Sequence, residues 1–369
     1  MGAVAGVGAD PEEIYAELCA GRDARSPLRA FDPAKYRMRH AYEIDDRPGR
    51  DDRPLRATEW LCAAVEQAVA QAGLDDLTDV PVLVGTTLRE QRSAELWWRD
   101  GVGFDPVDLD FGRALRTRFG ITRTYTFANA CAAGLYSLAM GTDLIELGLA
   151  ETVIVAGADS ITESAFGTLD RTQNETPEAL LPFDEAHRGM VMGEGAAAMV
   201  VRRAGADPDR VLARVRGVSA NCDAAHPTAP DAAGVTAVIE DAYRRAGVGP
   251  ADIDLVMLHG SGTPLNDTTE ASVLSALFAD VADGPLLSAI KSMTGHTLGG
   301  SGLHSALVAV LAMRDGSVPP VRGLRNPIAE ADGLRLVRDT AATTAVRTAQ
   351  IDAFGFGGIN AVAILEAAR

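Results

Sequence analysis

The sequence predicts an α/β protein built from two related halves. Short runs of β-branched and apolar residues alternate along its 369 residues with longer stretches rich in Ala and Leu, a pattern typical of sheets covered by helices. The length exceeds that of one ordinary domain, so two domains, or two halves around a shared core, are expected. The predicted strands are, in order, "VPVLVGTT", "ETVIVAGAD", "GAAAMVVRR", "VLARVRGVSA", "IDLVMLHGSGT", "GPLLSAIKS" and "AQIDAFGFGGINAVAILEAA".

A weak internal repeat relates the two halves. The stretch "AVEQAVAQAGLDDLTDVPVLVGTT" matches "AVIEDAYRRAGVGPADIDLVMLHGSGT" as an amphipathic helix, a Gly turn, an Asp-rich connection and a buried strand. The segments that follow, around Cys131 and His296, each run strand, polar turn, small residues and apolar helix. We therefore predict an N-terminal half over residues 1–205 and a C-terminal half over residues 206–369. Cys131 and His296 then fall at equivalent turns, which would meet at the join where α/β sheets place their chemistry.

Composition and charge exclude several functional classes. The formal net charge of -17 argues against nucleic acid and anionic membrane as the main partner, because both attract a basic surface. No apolar run reaches the roughly 18 residues needed to span a bilayer, and the early charges at the N-terminus argue against a signal peptide. We therefore expect a cytoplasmic protein. Four widely spaced cysteines without a CxxC pair suggest neither a disulfide framework nor a metal site.

Cys131 lies in the small-residue run "NACAAG", between a β-branched stretch and a long apolar segment. A cysteine among alanines is commonly a small core residue. A thiol in the first turn of a helix, however, meets unpaired N–H groups and the positive end of the helix dipole, which lower its pKa and favour the nucleophilic thiolate. We therefore predict that Cys131 is a nucleophile with a lowered pKa. Cys19, Cys62 and Cys222 have no comparable setting.

Two histidines and a lysine are the other candidates for catalysis. His259 ends a predicted buried strand in "LHGSGTPLND", where a polar residue before a Gly-rich turn is more often functional than structural. His296 lies in "KSMTGHTLGGSG", and Lys291 precedes it by five residues on the same strand-turn unit. One cysteine, two histidines and a lysine favour thioester chemistry over proteolysis, since proteolysis needs only a single base.

These residues resemble a known family, the elongating β-ketoacyl-acyl-carrier-protein synthases of the thiolase fold. Five ordered motifs carry the resemblance, which runs from about Arg53 to the C-terminus: "NACAAG", "PFDEAHRGMVMGEGAA", "HGSGTPLND", "KSMTGHTLGGSG" and "FGFGGINA". The resemblance implies a five-layered αβαβα fold of two related halves that works as a dimer. The predicted repeat agrees with that implication.

The resemblance also implies a mechanism and roles for residues. Cys131 would take an acyl group from a carrier-protein thioester, and backbone N–H groups of Cys131 and Phe356 would hold the oxyanion. His259 and His296, as neutral imidazoles, would donate hydrogen bonds to the malonyl thioester while carbon dioxide leaves, with Lys291 close by. The other residues implied are Ser261 and Thr263 at the phosphopantetheine arm, Phe356 as a gate and Phe166 as a wall of the acyl pocket. No bound cofactor or metal is implied.

The sequence departs from the family pattern at several positions. Ser305 stands where the family usually has a glutamate that pairs with the lysine, so Lys291 is expected to need support from another acid or from solvent. Ile359 replaces the usual Thr of the "GFGGTN" motif, and Asn129 stands two residues before the nucleophile. The N-terminal portion is compressed. These departures favour a synthase of polyketide or specialised fatty-acid biosynthesis.

Two alternatives stay open at the level of sequence. The first is an acyltransferase of the same fold that moves acyl groups without condensation. The second is a chain-length partner subunit of a heterodimeric ketosynthase, against which the retained Cys131, His259, His296 and Lys291 count strongly. The expected partners are an acyl-carrier protein and a second copy or a related subunit. Carrier proteins are acidic, so arginines should form the dock; the candidates are Arg53, Arg56, Arg113, Arg116, Arg118 and Arg171.

Overall fold

Helices and strands alternate through most of the chain. The computed structural model describes residues 1–47, 52–206 and 208–368. The helices of this part are α1 (Pro11–Cys19), α2 (Arg56–Ala72), α3 (Gln91–Asp100), α4 (Gly112–Phe119), α5 (Ala133–Glu146), α6 (Glu163–Thr172), α7 (Ala232–Ala246), α8 (Pro264–Leu277), α9 (Lys291–Thr294) and α10 (Ser301–Asp315). The strands are β1 (Gly2–Ala5), β2 (Ser26–Pro27), β3 (His40–Ala41), β4 (Val82–Gly85), β5 (Thr124–Phe127), β6 (Thr152–Asp159), β7 (Gly195–Arg202), β8 (Ala213–Cys222), β9 (Leu255–Met257), β10 (Leu286–Ser288), β11 (Ser317–Val318), β12 (Arg335–Leu336), β13 (Ala342–Thr343), β14 (Thr348–Gly355) and β15 (Ile359–Ala367).

Two large mixed sheets share one topology. The first has the order β5-β4-β6-β7-β1, and the second has the order β12-β10-β9-β14-β15-β8. In the first, β4 is parallel to β5 and β6, while β7 is antiparallel to β6 and β1. In the second, β9 is parallel to β10 and β14, while β15 is antiparallel to β14 and β8. The internal repeat predicted from the sequence is thus a repeat of strand order and direction.

The helices complete five layers. Helix α2 packs on β1, β6 and β7, which covers the outer face of the first sheet. Helices α5 and α10 contact strands of both sheets and therefore lie between them. Helix α7 packs on β8 and β15, with α8 beside it, on the outer face of the second sheet. This α-β-α-β-α order confirms the predicted thiolase-like architecture.

The central position of α10 follows from its sequence. Every residue from Ser301 to Ala312 is buried, and a helix that is apolar around its whole circumference requires protein on all sides. Helix α2, by contrast, buries one stripe that includes Trp60, Leu61 and Val65 and leaves its other face to solvent. Leu135, Leu138, Leu303 and Leu307 of the two central helices join side chains of both sheets in one core.

Glycines let the two halves approach backbone to backbone near the chain reversals that follow β5 and β10. A Cβ atom at Gly134 would lie 2.7 Å from the carbonyl oxygen of Gly299, and one at Gly157 would lie 2.8 Å from the Cα of Gly300. Real Cβ atoms do not come so close to backbone atoms, so any side chain at these positions would push the halves apart. The small residues around Cys131 therefore also have a packing role.

The last predicted strand is in fact a hairpin. The run "AQIDAFGFGGINAVAILEAA" forms β14 and β15, which pair antiparallel from Gly355 and Ile359 outward. Gly357 and Gly358 have φ angles of 84° and 74°, a left-handed conformation that glycine adopts without steric cost. The chain reverses there, and the reversal places Phe356 at the end of the second sheet. Among the described residues, no helix has the length and apolar character that crossing a membrane requires.

Candidate active site

Cys131, His259 and His296 line one small cavity where the two halves meet. The cavity has a volume of about 10 Å³, room for about one water molecule. Its lining residues are Cys131, Met190, Thr228, Pro230, His259, Ser261, Thr263, Asn266, His296, Phe354, Gly355 and Phe356. The structure thus brings together the three residues that the sequence predicted as nucleophile and hydrogen-bond donors.

Cys131 sits in a tight turn between β5 and α5. The turn Ala130–Ala132 is a single 3₁₀ turn that leads directly into the helix. Ala130 has a φ of 49°, a left-handed conformation that costs a non-glycine residue of the order of 1 kcal/mol and is common at functional sites. Gly355 allows the end of β14 to come close, because a Cβ there would lie 3.3 Å from the backbone nitrogen of Cys131. The nucleophile is therefore held against the other half of the molecule.

The pKa of Cys131 shifts in the direction opposite to our prediction. Burial raises it to about 11, and the charge of Asp159 acts in the same direction. The Lys291 ammonium and the backbone N–H groups of Phe356 and Cys131 act to lower it. The prediction weighed only the helix start, and it was wrong because desolvation of the thiolate outweighs the local donors. The two N–H groups nevertheless lie within hydrogen-bonding reach of the sulfur, and their role as an oxyanion hole stays a prediction.

The hydrogen bonds of His296 determine its tautomer. The backbone N–H of Leu298 donates to Nδ1 of His296 at 3.1 Å, so Nδ1 is the bare acceptor and Nε2 carries the proton. The Nε2 atom is buried without a hydrogen-bond partner among the described residues. A buried N–H without a partner is costly, and it provides a donor for a group that enters the cavity.

His259 lies beside His296 with its ring 5.4 Å away, centroid to centroid, and 75° from coplanar. The ring centroid of Phe354, near the end of β14, lies 5.9 Å from that of His259. Burial lowers the pKa of both histidines well below the ordinary value, and the Lys291 ammonium lowers both further. Both imidazoles are therefore neutral near pH 7, as predicted, although burial contributes more than the lysine.

Lys291 is buried at the start of α9 and donates a hydrogen bond from Nζ to the carbonyl oxygen of His259. Burial lowers the pKa of Lys291, and Glu270 is the first of the groups that raise it. The carboxylate of Glu270 accepts from the N–H groups of His259 at 2.7 Å and Gly260 at 2.9 Å. Lys291 and Glu270 thus bind the carbonyl oxygen and the N–H of the same peptide group, the one that joins His259 to Gly260. Glu270 of α8 is thus an acid other than Ser305 whose charge acts to raise the pKa of Lys291, although burial lowers that pKa to about 8.

Glu270 was missed in the sequence, and a signal for it exists. It follows His259 by eleven residues, in "HGSGTPLNDTTE". When a short loop joins a strand to a helix, the first turns of the helix lie close to the end of the strand. An acidic side chain in those turns can therefore accept hydrogen bonds from the N–H groups of the loop. The carboxylate of the neighbouring Asp267 accepts hydrogen bonds from the backbone N–H groups of Phe183 and Gly262. The two carboxylates therefore shape the loop that carries His259.

The predicted substrate-binding residues have different locations. Ser261 and Thr263 line the cavity, and their hydroxyl oxygens are 2.8 Å apart. Phe356 lines the cavity and is 42% exposed, which places it between the thiol and solvent. Phe166 is fully buried and packs edge-on against Phe31 and Tyr36, with ring centroids 5.3 Å and 5.2 Å away. It is not among the lining residues, so its role at an acyl pocket stays a prediction.

Arg56 does not belong to a docking surface. It is 2% exposed, and its guanidinium donates to Glu194 at 3.0 Å and to Asp46 at 2.6 Å. The guanidinium also lies 4.4 Å from the ring centroid of Trp60. The prediction was wrong because the helical position gave no sign that a buried carboxylate would meet this side chain.

Of the other candidate docking arginines, Arg53 is half-buried and the rest are exposed. Arg53, Arg113 and Arg118 each form an ion pair with at least one carboxylate. Arg116 and Arg171 are exposed and form no ion pair within the part of the chain that the structure describes. A guanidinium without a local carboxylate is more available to an acidic partner. Arg116 and Arg171 therefore remain the better candidates.

Comparison with known proteins identifies the family. The sequence profile of the N-terminal domain of β-ketoacyl synthases matches residues 1–206, and that of the C-terminal domain matches residues 212–325. The match begins at residue 1, so the similarity also covers the segment before Arg53 that the motifs left out. The sheet partner of β1 in this segment is β7.

Curated relatives match over almost the whole chain. A "3-oxoacyl-[acyl-carrier-protein] synthase 2" of Coxiella burnetii is 27% identical over 99% of this chain and 97% of its own length. A "putative polyketide beta-ketoacyl synthase 1" of Streptomyces cyaneus is 32% identical over 99% of this chain and 96% of its own length. Among solved structures, the ishigamide ketosynthase/chain length factor has a TM-score of 0.88 at 30% identity, with 99% of this chain and 97% of that chain covered. The chain therefore belongs to the β-ketoacyl synthase family, a family of acyltransferases.

Proposed function

We propose that this chain elongates an acyl group held on Cys131 by decarboxylative Claisen condensation with a malonyl-carrier protein, in polyketide or specialised fatty-acid biosynthesis. The observation that carries the proposal is the cavity shared by Cys131 and two neutral histidines, one of which presents an unpartnered Nε2–H group. Transfer of an acyl group would need only the nucleophile and its local backbone donors. Neutral donors opposite the nucleophile serve the second, decarboxylating step.

The first step is a thioester exchange. The sulfur of Cys131 attacks the carbonyl carbon of an acyl-carrier thioester, and the carrier thiol leaves with the proton that Cys131 gives up. The backbone N–H groups of Cys131 and Phe356 hold the oxyanion of the tetrahedral intermediate. These donors are fixed before substrate arrives, and each such donor contributes about 3 to 4 kcal/mol in acyl-transfer sites.

The second step forms the carbon–carbon bond. The malonyl carboxylate leaves as carbon dioxide, and its bonding electrons pass into the thioester carbonyl to give an enolate. His259 and His296 donate hydrogen bonds to that enolate oxygen. The enolate carbon then attacks the acyl-Cys131 carbonyl, and the cysteine sulfur leaves as a thiolate that takes up one proton from solvent. The product is a β-ketoacyl-carrier protein, and neither a metal nor a bound cofactor takes part.

The substrates come on the phosphopantetheine arm of an acyl-carrier protein in the cytoplasm. Ser261 and Thr263, with hydroxyls 2.8 Å apart at the cavity, bind the polar groups of this arm. The chain works as a dimer with itself or with a related ketosynthase-like subunit. The strand β5 lies at the edge of its sheet, with β4 as its one neighbour among the described residues, and exposes Tyr125. This edge supports the assembly, since an unpaired strand edge invites pairing with another chain. The ketosynthase/chain length factor named above supports it as well.

The test supplies acyl-loaded enzyme with malonyl-carrier protein and follows carbon dioxide together with the elongated product. Intact-mass spectrometry first establishes that Cys131 carries the acyl group, across a panel of acyl-carrier thioesters. Release of carbon dioxide with formation of the β-ketoacyl product is expected. Loading without either product across the panel would replace the synthase by an acyltransferase.

A further inference from the structure

The carboxylate of Asp159 is completely buried and has no part in the proposed chemistry. It is the last residue of β6 and is 0% exposed. One oxygen, Oδ1, accepts from the Thr86 hydroxyl at 2.8 Å and from the Leu88 N–H at 2.7 Å. The other oxygen, Oδ2, accepts from the Thr87 N–H at 2.9 Å. Through these three hydrogen bonds the carboxylate holds the loop that follows β4 in the first half of the molecule.

The fourth donor to Asp159 comes from the other half. The N–H of Gly299 donates to Oδ2 at 2.7 Å, across 140 residues of chain. Gly299 lies in the turn Leu298–Gly300, and a Cβ there would lie 2.5 Å from the Cα of Thr86 and 2.8 Å from the nitrogen of Thr87. The turn therefore rests directly on the loop that Asp159 holds. The carboxylate ties loop and turn together.

The same turn orients His296. The N–H of Leu298, one residue before Gly299, donates to Nδ1 of His296 and so determines its tautomer. Leu298 has a φ of 50°, a left-handed conformation that a leucine does not hold without support from its surroundings. The Gly299 N–H bond to Asp159 supplies that support on the next peptide. The orientation of the Nε2–H donor of His296 thus depends on a carboxylate in the opposite half.

We propose that Asp159 is a positioning residue for His296, which acts through Gly299 and the Leu298–Gly300 turn. The inference rests on the proposed function, because it assigns a purpose to the donor that the condensation uses. It predicts a division of effects. Loss of the carboxylate should impair decarboxylation, which needs the His296 donor, and should leave transfer to Cys131 intact.

The negative charge of Asp159 should widen the difference between the effects of its loss on acyl loading and on carbon dioxide release. Asp159 acts to raise the pKa of Cys131, so its removal favours the thiolate. A variant without this charge should therefore load at least as fast as the wild type. General damage to the fold would instead slow both steps together.

The test compares Asp159→Asn with the wild type. Asparagine has nearly the same shape but keeps only one acceptor oxygen. With that oxygen toward Thr86 and Leu88, the amide –NH₂ faces the N–H of Gly299, and two donors cannot bond. In the opposite orientation the –NH₂ faces the N–H of Leu88, so the amide holds either the turn or the loop but not both. Asp254→Asn is the matched control, because Asp254 also accepts from two backbone N–H groups, at 2.8 Å and 2.9 Å. Asp254 immediately precedes β9, at the strand end opposite to His259.

Three readouts are taken: acyl loading by intact mass, carbon dioxide release from malonyl-carrier protein, and ¹⁵N NMR of the histidine rings. For Asp159→Asn we expect carbon dioxide release to fall about 10- to 100-fold, as small misplacements of a catalytic group do. Loading should stay equal or rise, and His296 should lose its single Nε2–H tautomer. The control should match the wild type in all three. Unchanged carbon dioxide release with an unchanged His296 spectrum would overturn the proposal, as would equal losses of loading and release.

Two further outcomes are also decided by this design. If the wild type itself releases no carbon dioxide, the proposed function fails, and the His296 spectrum alone then decides the positioning role. If Asp159→Asn does not fold, Thr86→Val takes its place, because it removes one donor to the carboxylate and keeps the side-chain shape. A smaller but selective loss of carbon dioxide release is then expected. No loss, or a loss shared with loading, would refute the role of Asp159.

Discussion

The sharpest test of the proposed chemistry is the removal of the His296 imidazole by His296→Ala. The ring offers one buried N–H donor to a cavity of about 10 Å³, so no bulk water takes its place when the enolate forms. One such donor is worth about 3 kcal/mol in the transition state, which is a factor of roughly 10² in rate. Loading of Cys131 uses the backbone N–H groups instead and should be largely spared.

The assay measures loading and carbon dioxide release on the same preparation. His296→Gln is the conservative control, since its amide keeps a neutral N–H donor and should recover part of the lost rate. His259→Ala should show the same division of effects as His296→Ala. The reasoning would be refuted if His296→Ala released carbon dioxide at the wild-type rate, or if loading fell as far as release.

The remaining predictions concern the nucleophile, a buried cation, the dock and the protonation state of a histidine. Cys131→Ala should abolish acyl loading in intact-mass spectra while Cys62→Ala keeps it; an acylated Cys131→Ala protein would disprove the assignment. Arg56→Ala should lower the free energy of unfolding by about 3 kcal/mol in denaturant titrations, because it removes one of the two buried guanidiniums that pair with Glu194, the other being that of Arg47; a change below 1 kcal/mol would contradict the buried network. Charge reversal by Arg171→Glu should raise KM for acyl-carrier protein with kcat unchanged, and an unchanged KM would place the dock elsewhere. Since burial depresses the pKa of His296, its ring ¹⁵N signals should remain those of the neutral Nε2–H form from pH 8 to pH 6, and a doubly protonated ring at pH 6 would be inconsistent with that burial.

Much of the fold and of the site was accessible from the sequence. Strand-helix alternation and the internal repeat predicted two matching halves, and the five strands of the first sheet have the order and directions of five strands of the second, which adds β12 at one edge. Cys131, His259 and His296 were found because each ends or follows a strand in a run of small or Gly-rich residues. Such runs mark places where backbone segments come close together, and the glycine contacts at Gly134 and Gly299 show that they do.

What the sequence could not give was depth of burial. The helix start at Cys131 predicted a lowered pKa for the thiol. The pKa is raised instead, because the thiol is buried where the two halves meet. Arg56 looked like a surface residue and meets Glu194 inside the protein. Glu270 and Asp159 act on residues distant in sequence, through loops whose positions depend on tertiary packing. These contacts arise only when the two halves come together.

The backbone contact between the two halves also bears on how substrates enter. Peptide groups of the two halves are pressed together at Gly134 and Gly299, and close-packed backbone does not yield by changes of rotamer. The cavity that Cys131 lines holds about one water molecule, far less than an acyl chain. Room for the chain must therefore come from side chains that can swing away, and we expect it from two lining residues, the exposed Phe356 and the buried, unbranched Met190. The enzyme would then choose its acyl groups by the work needed to displace these two side chains, with the catalytic groups themselves held still.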